Sequence, residues 1–190
     1  MAIVLASQSP RRQELLARIG VEDFKTLSLD IDESYPEGLS PEDTVRYIAK
    51  KKCDAAAALC APDDLIITAD TMVFLGNDRL GKPSDEEDAL RMLRELAGRG
   101  HTVCTGVSVR RGAQEERFAV STRVFFRPMT DDEIRAYIKT GEPMDKAGAY
   151  GVQSRGALFV ERIDGDFFNV MGLPVEQLGL VLARFGVKLL

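Results

Sequence analysis

The run LIITADTMVFL, residues 65–75, constrains the fold more than any other part of the sequence. Its isoleucine, valine, threonine and phenylalanine residues predict a β-strand, because branched and aromatic side chains favour that conformation. Helix-start signals stand on both sides of it, at Ser40 and at a capping box that Ser84 opens. No internal repeat or linker interrupts this order. Residues 1–190 are therefore predicted to form one mixed α/β domain with two lobes around a cleft.

The other elements are predicted from their periodicity and their end signals. Residues 2–6 form a buried strand, and a helix follows from Ser9, as its capping residue, to Ile19, with Pro10 in the first position. The remaining predicted strands are residues 24–29, 101–110, 116–126, 158–163 and 167–170, and the remaining helices begin near Thr130 and Pro174.

The charge balance excludes two classes of partner. With 25 Lys and Arg against 30 Asp and Glu, the formal net charge is −5, opposite to that of a nucleic-acid or anionic-membrane binder. No apolar stretch approaches the roughly 20 residues that span a bilayer. The three cysteines are widely spaced and odd in number, which favours a reduced, cytoplasmic protein. We therefore expect neither a nucleic-acid nor a membrane partner.

Metal chemistry is restricted by the scarcity of nitrogen and sulfur ligands. His101 is the only histidine, and there is no paired-cysteine motif, so a structural zinc site lacks ligands. His101 also has no serine-containing elbow beside it, and we assign it no catalytic role. Any bound metal is expected to be a hard cation held by carboxylates, such as Mg²⁺ or Mn²⁺.

The first predicted helix begins with an unfavourable charge arrangement. Arg11 and Arg12 lie in the first turn, where the helix dipole disfavours a cation. An anion held by the backbone N–H groups, by both guanidiniums and by the Ser7 and Ser9 hydroxyls would reverse that preference, because phosphate binds well at a helix N-terminus. The alternative is a pair of solvated arginines on a surface turn, and the pattern alone leaves both open.

Asp70 stands inside the apolar run 65–75, where a carboxylate requires an explanation. It is either a core carboxylate paired with a lysine, or a metal ligand and general base beside a cleft; we favour the second. Together with Glu33 it supplies two carboxylates for a cation, while Arg11, Arg12 and four lysines supply cations for a phosphate chain. Taken singly, Lys50, Lys51 and Lys52 are most simply a solvated helix face and Lys82 a loop cation, and the sequence leaves both readings open.

Four motifs in order make the chain similar to a known family. The segments LASQSPRRQELL, ITADTMV, GKPSDEEDALRML and EPMDKAGAYGVQ resemble those of the Maf family of nucleoside triphosphate pyrophosphatases. The resemblance implies an elongated mixed β-sheet flanked by helices, with two lobes around a central cleft, similar to the inosine triphosphate pyrophosphatases. It also implies hydrolysis of a nucleoside triphosphate to the monophosphate and pyrophosphate with Mg²⁺ or Mn²⁺.

The resemblance assigns roles to individual residues. Asp70 matches the family's catalytic carboxylate and would hold the metal with Glu33, while Arg12, Thr71 and Gln153 match the branch that prefers dTTP and UTP. Five residues match family positions that line the phosphate path: Ser7, Arg11, Arg12, Lys52 and Lys82. Ser9 is added to this set because it begins the first helix.

The resemblance leaves alternatives open. A second branch of the family prefers 7-methyl-GTP, and the family has been associated with arrest of septum formation, so a non-enzymatic regulator of cell division is a rival reading. It further suggests a homodimer and a role against non-standard nucleotides. Gln8 between the serines and Ser154-Arg155 after Gln153 depart from the common pattern.

Overall fold

The computed structural model describes all 190 residues. The chain forms seven strands and six α-helices, and three short 3-10 helices lie within residues 142–159. The strands are β1 Ile3–Leu5, β2 Phe24–Thr26, β3 Leu65–Leu75, β4 Asp78–Leu80, β5 Gly100–Arg111, β6 Gln114–Phe126 and β7 Val160–Asp164. The helices are α1 Pro10–Arg18, α2 Pro41–Ala57, α3 Glu86–Leu96, α4 Asp131–Ile138, α5 Phe167–Met171 and α6 Val175–Arg184. None of these helices combines the length and apolarity needed to cross a bilayer.

The strands form one mixed sheet in the order β2-β1-β3-β5-β6-β7, and β4 pairs with β3. Strand β1 is parallel to both β2 and β3, whereas the pairs β3–β4 and β6–β7 are antiparallel. Parallel neighbours require crossover connections, which α1 and α2 supply. The predicted mixed sheet flanked by helices is confirmed.

The contacts divide the chain into two compact units. The first unit comprises Met1–Asp70, Thr105–Val120 and Gly172–Leu190, and the second comprises Thr71–Cys104 and Ser121–Met171. Each has its own buried apolar residues, such as Leu16 and Ile67 in the first and Leu93 and Phe126 in the second. The single domain and the cleft inferred from sequence stay predictions.

Helix α2 packs closely on the sheet within the first unit. The buried Thr68 of β3 donates a hydrogen bond from Oγ1 to the carbonyl of Ala49 at 2.7 Å. A Cβ at Gly106 of β5 would lie 2.3 Å from the backbone of Val45, so only glycine permits this approach. These contacts fix the first half of α2 against β5 and against the part of β3 that leads to Asp70.

Two local predictions were wrong. The capping residue of α3 is Asp85, which accepts from the Asp88 N–H, and not Ser84. Residues 167–170, predicted as a strand, form the helix α5. The Asp166 carboxylate accepts from the Phe168 N–H at 2.7 Å, and the buried Asn169 donates to the Val103 carbonyl. This capping and this tertiary bond outweigh the β-propensity of the two phenylalanines.

Candidate active site

The start of α1 is built as the sequence predicts, with one difference. Ser9 occupies the capping position and Pro10 follows, but the Ser9 side chain forms no capping hydrogen bond, and the first turn contains no acidic residue. The hydroxyl of Ser7 instead accepts from the Ser9 N–H at 3.2 Å and from Arg12 Nη1 at 3.4 Å. The end of the helix that favours anions therefore has the Ser7 hydroxyl and the Arg12 guanidinium beside it.

Arg12 ties this helix end to the strand that carries Asp70. Its Nε donates to the Gly172 carbonyl at 2.8 Å, and Nη1 donates to the Ala69 carbonyl at 2.9 Å. Burial lowers the pKa of Arg12, while the neighbouring Asp70 opposes that effect. The guanidinium stays charged, because arginine does not lose its proton within proteins. Much of its donor capacity is spent on positioning the backbone next to Asp70.

Asp70, Lys52 and Glu33 form a linked set of charges in the first unit. Lys52 Nζ lies 2.7 Å from Asp70 Oδ1 and 2.9 Å from Glu33 Oε1. The side chains of Asp70 and Lys52 are 8% and 14% exposed, whereas that of Glu33 is 55% exposed. Asp70 Oδ2 is buried and has no hydrogen-bond partner. Asp70 is therefore paired with a lysine through one oxygen and leaves the other available.

The structure separates the roles of the three successive lysines. Lys50 pairs with Asp54 of the same helix, and Lys51 reaches Asp32 at 3.1 Å. Both pairs are partly exposed, and such pairs contribute little to stability. Only Lys52 contacts Asp70, which supports the register carried over from the family.

The carboxylates of Asp70 and Glu33 are suited to a hard cation that retains part of its hydration shell. No cluster of three or more metal-ligating side chains exists in the structure. Asp70 offers an unpartnered buried oxygen, and Glu33 offers a second carboxylate linked to the same lysine. Mg²⁺ is commonly bound by one or two carboxylates with waters and substrate phosphates completing its shell. These two residues fit that pattern, so they can hold Mg²⁺ or Mn²⁺.

Arg11 lies in the first turn of α1 in the first unit, and three further predicted site residues belong to the second unit. Thr71 follows Asp70 on β3 and is half-buried, while Lys82 and Gln153 are exposed. The Gly148 N–H donates to the Gly81 carbonyl at 3.0 Å, which ties the residue before Lys82 to the segment EPMDKAGAYGVQ. Because Gln153 is exposed, a ligand can reach the donor and the acceptor of its side-chain amide.

His101 lies buried in the second unit and takes no part in these groups. Its Nε2 is 2.8 Å from the Tyr150 hydroxyl, and its ring packs edge-on against Phe126 and Tyr150. Burial lowers the pKa of His101 to about 4. The residue is a neutral part of the core at physiological pH.

Sequence reasoning missed the pair that holds the Gln153 segment. Tyr137 of α4 and Glu142 of the following 3-10 helix are joined by a hydrogen bond of 2.8 Å between the tyrosine hydroxyl and the carboxylate. Tyr137 also accepts a hydrogen bond from Gly151, which precedes Gln153, and Glu142 accepts one from Ser154, which follows it. The available signal was the absence of any helical or strand period in EPMDKAGAYGVQ, since such a segment needs side chains to satisfy its backbone.

Comparison with known proteins agrees with the sequence motifs. A family model described as "Maf-like protein" matches residues 2–185. The chain is 46% identical over 186 residues to a dTTP/UTP pyrophosphatase of Bacillus velezensis, covering 98% of this chain and 97% of that one. It is 47% identical over 191 residues to a dTTP/UTP pyrophosphatase of Dictyoglomus turgidum, covering 99% and 98%.

Solved structures with low sequence identity share the fold. The Ham1 protein of Staphylococcus aureus is 14% identical with a TM-score of 0.55, covering 97% of this chain and 100% of that one. A HAM1 protein from Coxiella burnetii is 13% identical with a TM-score of 0.56, covering 97% and 99%. The family match over nearly the whole length carries the assignment: the chain belongs to the Maf family.

Proposed function

We propose that this protein is a nucleoside triphosphate pyrophosphatase that hydrolyses dTTP and UTP to the monophosphate and pyrophosphate. The observation that carries the proposal is the buried Asp70 carboxylate, with one oxygen paired to Lys52 and the other unpartnered. The names of relatives 46–47% identical over nearly the full length support the substrate class.

Asp70 acts as the proton acceptor of the reaction. A water molecule attacks the α-phosphorus, the bond to the bridging oxygen breaks, and pyrophosphate leaves. The proton of the attacking water passes to Asp70 Oδ2, the oxygen that has no partner within the protein. Lys52 holds the other oxygen at 2.7 Å, which keeps the carboxylate oriented during the transfer.

Asp70 and Glu33 hold a divalent cation, Mg²⁺ or Mn²⁺. When bound, such an ion polarises the phosphate and lowers the pKa of the attacking water. A carboxylate oxygen has more than one lone pair, so Asp70 can contact a cation and accept a proton. Charge on the departing pyrophosphate is stabilised by surrounding donors and cations: Ser7, Ser9, Arg11, Arg12, Lys52 and Lys82.

Base recognition is assigned to Arg12, Thr71 and Gln153. The exposed Gln153 amide supplies an acceptor for N3–H and a donor for a carbonyl of uracil or thymine. Arg12 supplies donors only, and two of its nitrogens already bond to backbone carbonyls. Gln153 therefore reads the uracil edge, and the N–H donors of Arg12 disfavour the amino group of cytosine.

Release of pyrophosphate from dTTP, UTP, CTP and 7-methyl-GTP in the presence of Mg²⁺ tests the function. We expect efficient release from dTTP and UTP only. Preference for 7-methyl-GTP would place the chain in the other branch, and no release from any nucleotide would leave the regulatory role in cell division. The homodimer and the cytoplasmic location stay predictions, and light scattering on the purified protein tests the first.

A further inference from the structure

Residues 151–156, here called the 151–156 loop, carry Gln153 near their middle. Gln153, Ser154 and Arg155 are exposed, whereas Gly151, Val152 and Gly156 are buried. The exposed part is thus fixed at both ends inside the second unit. The residues that bind these two ends therefore determine the position of the Gln153 side-chain amide.

Tyr137 holds the first end of the loop. Its hydroxyl oxygen accepts from the Gly151 N–H at 3.1 Å and donates to Glu142 Oε1 at 2.8 Å. The ring packs edge-on against Phe159, with 5.1 Å between ring centroids. The tyrosine is 5% exposed, so packing fixes the position of its hydroxyl.

Glu142 holds the other end. Its Oε1 accepts from the Ser154 hydroxyl at 2.6 Å and from the Gly156 N–H at 3.2 Å, and its Oε2 accepts from the Arg155 N–H at 3.2 Å. One carboxylate therefore binds the three residues that directly follow Gln153. Only an ionised carboxylate offers acceptors in all these directions without a competing donor.

The charge state of Glu142 agrees with its role as an acceptor of these hydrogen bonds. Burial raises the pKa of Glu142, but the hydrogen bonds from Ser154, Tyr137 and the loop backbone outweigh burial and lower the pKa below its ordinary value. The carboxylate is ionised at neutral pH. Hydrogen bonds to a charged acceptor are stronger than neutral ones, which suits a clamp on an exposed loop.

The two glycines bring the loop ends together. A Cβ at Gly156 would lie 2.5 Å from the Gly151 carbonyl oxygen and 2.9 Å from the Tyr137 hydroxyl. A Cβ at Gly151 would lie 2.8 Å from the Lys146 side chain. Any larger residue at 156 would push the backbone apart, because contacts below 3.0 Å to backbone are not tolerated. The loop is a closed structure around Tyr137 and Glu142, with Gln153 at its exposed part.

We propose that Glu142 and Tyr137 are positioning residues for base selection, which place the Gln153 amide for the uracil or thymine edge. This inference rests on the proposed function, in which Gln153 reads that edge. Neither residue contacts the reacting phosphate in this scheme. Their loss should weaken recognition of the matched base and leave the chemical step unchanged.

The test compares Glu142→Gln, Tyr137→Phe and Ser154→Ala with the matched control Glu161→Gln, an exposed glutamate of β7. Steady-state kinetics on UTP and CTP give kcat and KM for each variant. In Glu142→Gln we expect the KM for UTP to rise about tenfold, with kcat and the CTP parameters nearly unchanged, because ground-state recognition is lost. Tyr137→Phe and Ser154→Ala should show smaller changes of the same kind, and Glu161→Gln none.

Amide hydrogen exchange gives a second readout on the same proteins. The Arg155 and Gly156 N–H groups should exchange faster in Glu142→Gln, and the Gly151 N–H should exchange faster in Tyr137→Phe, since each loses its acceptor. If Glu142→Gln does not fold, the two hydroxyl deletions decide by the same kinetic criterion.

The outcomes separate this inference from the proposed function. If the wild type prefers UTP to CTP and the UTP:CTP ratio of kcat/KM is the same in all three variants, the positioning role is overturned and the proposed function stands. An equal fall of kcat on both nucleotides also overturns it, since Glu142 would then act on the chemical step. A wild type that does not distinguish UTP from CTP overturns both.

Discussion

Lys52 Nζ lies 2.7 Å from Asp70 Oδ1, and the second Asp70 oxygen is buried without a partner. The lysine is also held by Glu33 at 2.9 Å. Removing the Asp70 charge would therefore leave Lys52 with one remaining carboxylate. Because Lys52 keeps Glu33 as a partner, the effect of an Asp70 substitution on catalysis can be measured apart from its effect on stability.

Asp70→Asn should lower kcat/KM for UTP by about two to four powers of ten, the usual contribution of a positioned general base. Its loss of stability should stay below about 3 kcal/mol, the lower bound for leaving a buried charge unpaired, because Glu33 still pairs with Lys52. Kinetics and urea unfolding measure both, with Asp63→Asn, an exposed loop residue, as control. Near-native turnover would refute the mechanism.

Arg12→Ala should destabilise the protein without ligand by about 1–3 kcal/mol, because the buried carbonyls of Ala69 and Gly172 lose their donors. The control is Arg18→Ala in the last turn of the same helix, where the arginine forms an exposed pair with Glu14 and the expected loss is below about 0.5 kcal/mol. Thermal unfolding of both variants checks the difference. If the two variants are equally stable, the hydrogen bonds of Arg12 do not hold the backbone next to Asp70.

Protein stability should fall between about pH 6.5 and 4 because of His101. Burial lowers the pKa of this residue from 6.5 to about 4, so the unfolded state binds the proton first as pH falls. The stabilisation is complete above pH 6.5 and is lost towards the folded-state pKa, with a total of about 3 kcal/mol. The free energy of unfolding, measured with urea at several pH values in this range, should fall less steeply with decreasing pH for His101→Gln than for the wild type. Parallel curves would contradict the assignment.

Removal of divalent metal by EDTA should stop hydrolysis, and added Mg²⁺ should restore it. Glu33→Gln should raise the Mg²⁺ concentration needed for half-maximal rate, since it removes one of two carboxylates. The variant should unfold like the wild type, because Glu33 is 55% exposed. Full activity in EDTA would refute the metal proposal.

Local signals in the sequence predicted those elements that carry their own boundaries. Helix α2 begins after Ser40, whose hydroxyl accepts from the Asp43 N–H, and β3 spans the predicted residues 65–75. The helix predicted to begin near Thr130 does so, and Thr130 and Glu133 form a capping box at its start. In each case the boundary depends on residues adjacent in sequence, so no tertiary information was needed.

Tertiary contacts determined what the sequence could not show. The choice of Lys52 over its neighbours depends on how α2 packs on β3 and β5 through Thr68 and Gly106. Glu142 acts through residues up to 14 positions away, and its own neighbourhood has no regular period. Strand β4 has only three residues, too few for an alternating pattern.

Base selectivity is the sharpest test of the substrate proposal. Uracil presents an acceptor, a donor and an acceptor along its pairing edge, and the Gln153 amide can match the donor and one acceptor. Cytosine replaces the last two with an acceptor and an amino donor, and that amino group would face the N–H donors of Arg12, so CTP should be cleaved far more slowly. The 5-methyl group of dTTP should change little.

Gln153→Glu should damage UTP turnover specifically. The carboxylate keeps an acceptor for N3–H but loses the amide donor and repels the uracil carbonyl. Because Gln153 is exposed, the variant should keep the wild-type melting temperature. Steady-state kinetics on dTTP, UTP, CTP and 7-methyl-GTP decide. An unchanged UTP preference in Gln153→Glu would show that another residue reads the base, and the clamp by Glu142 would then have no part in selection.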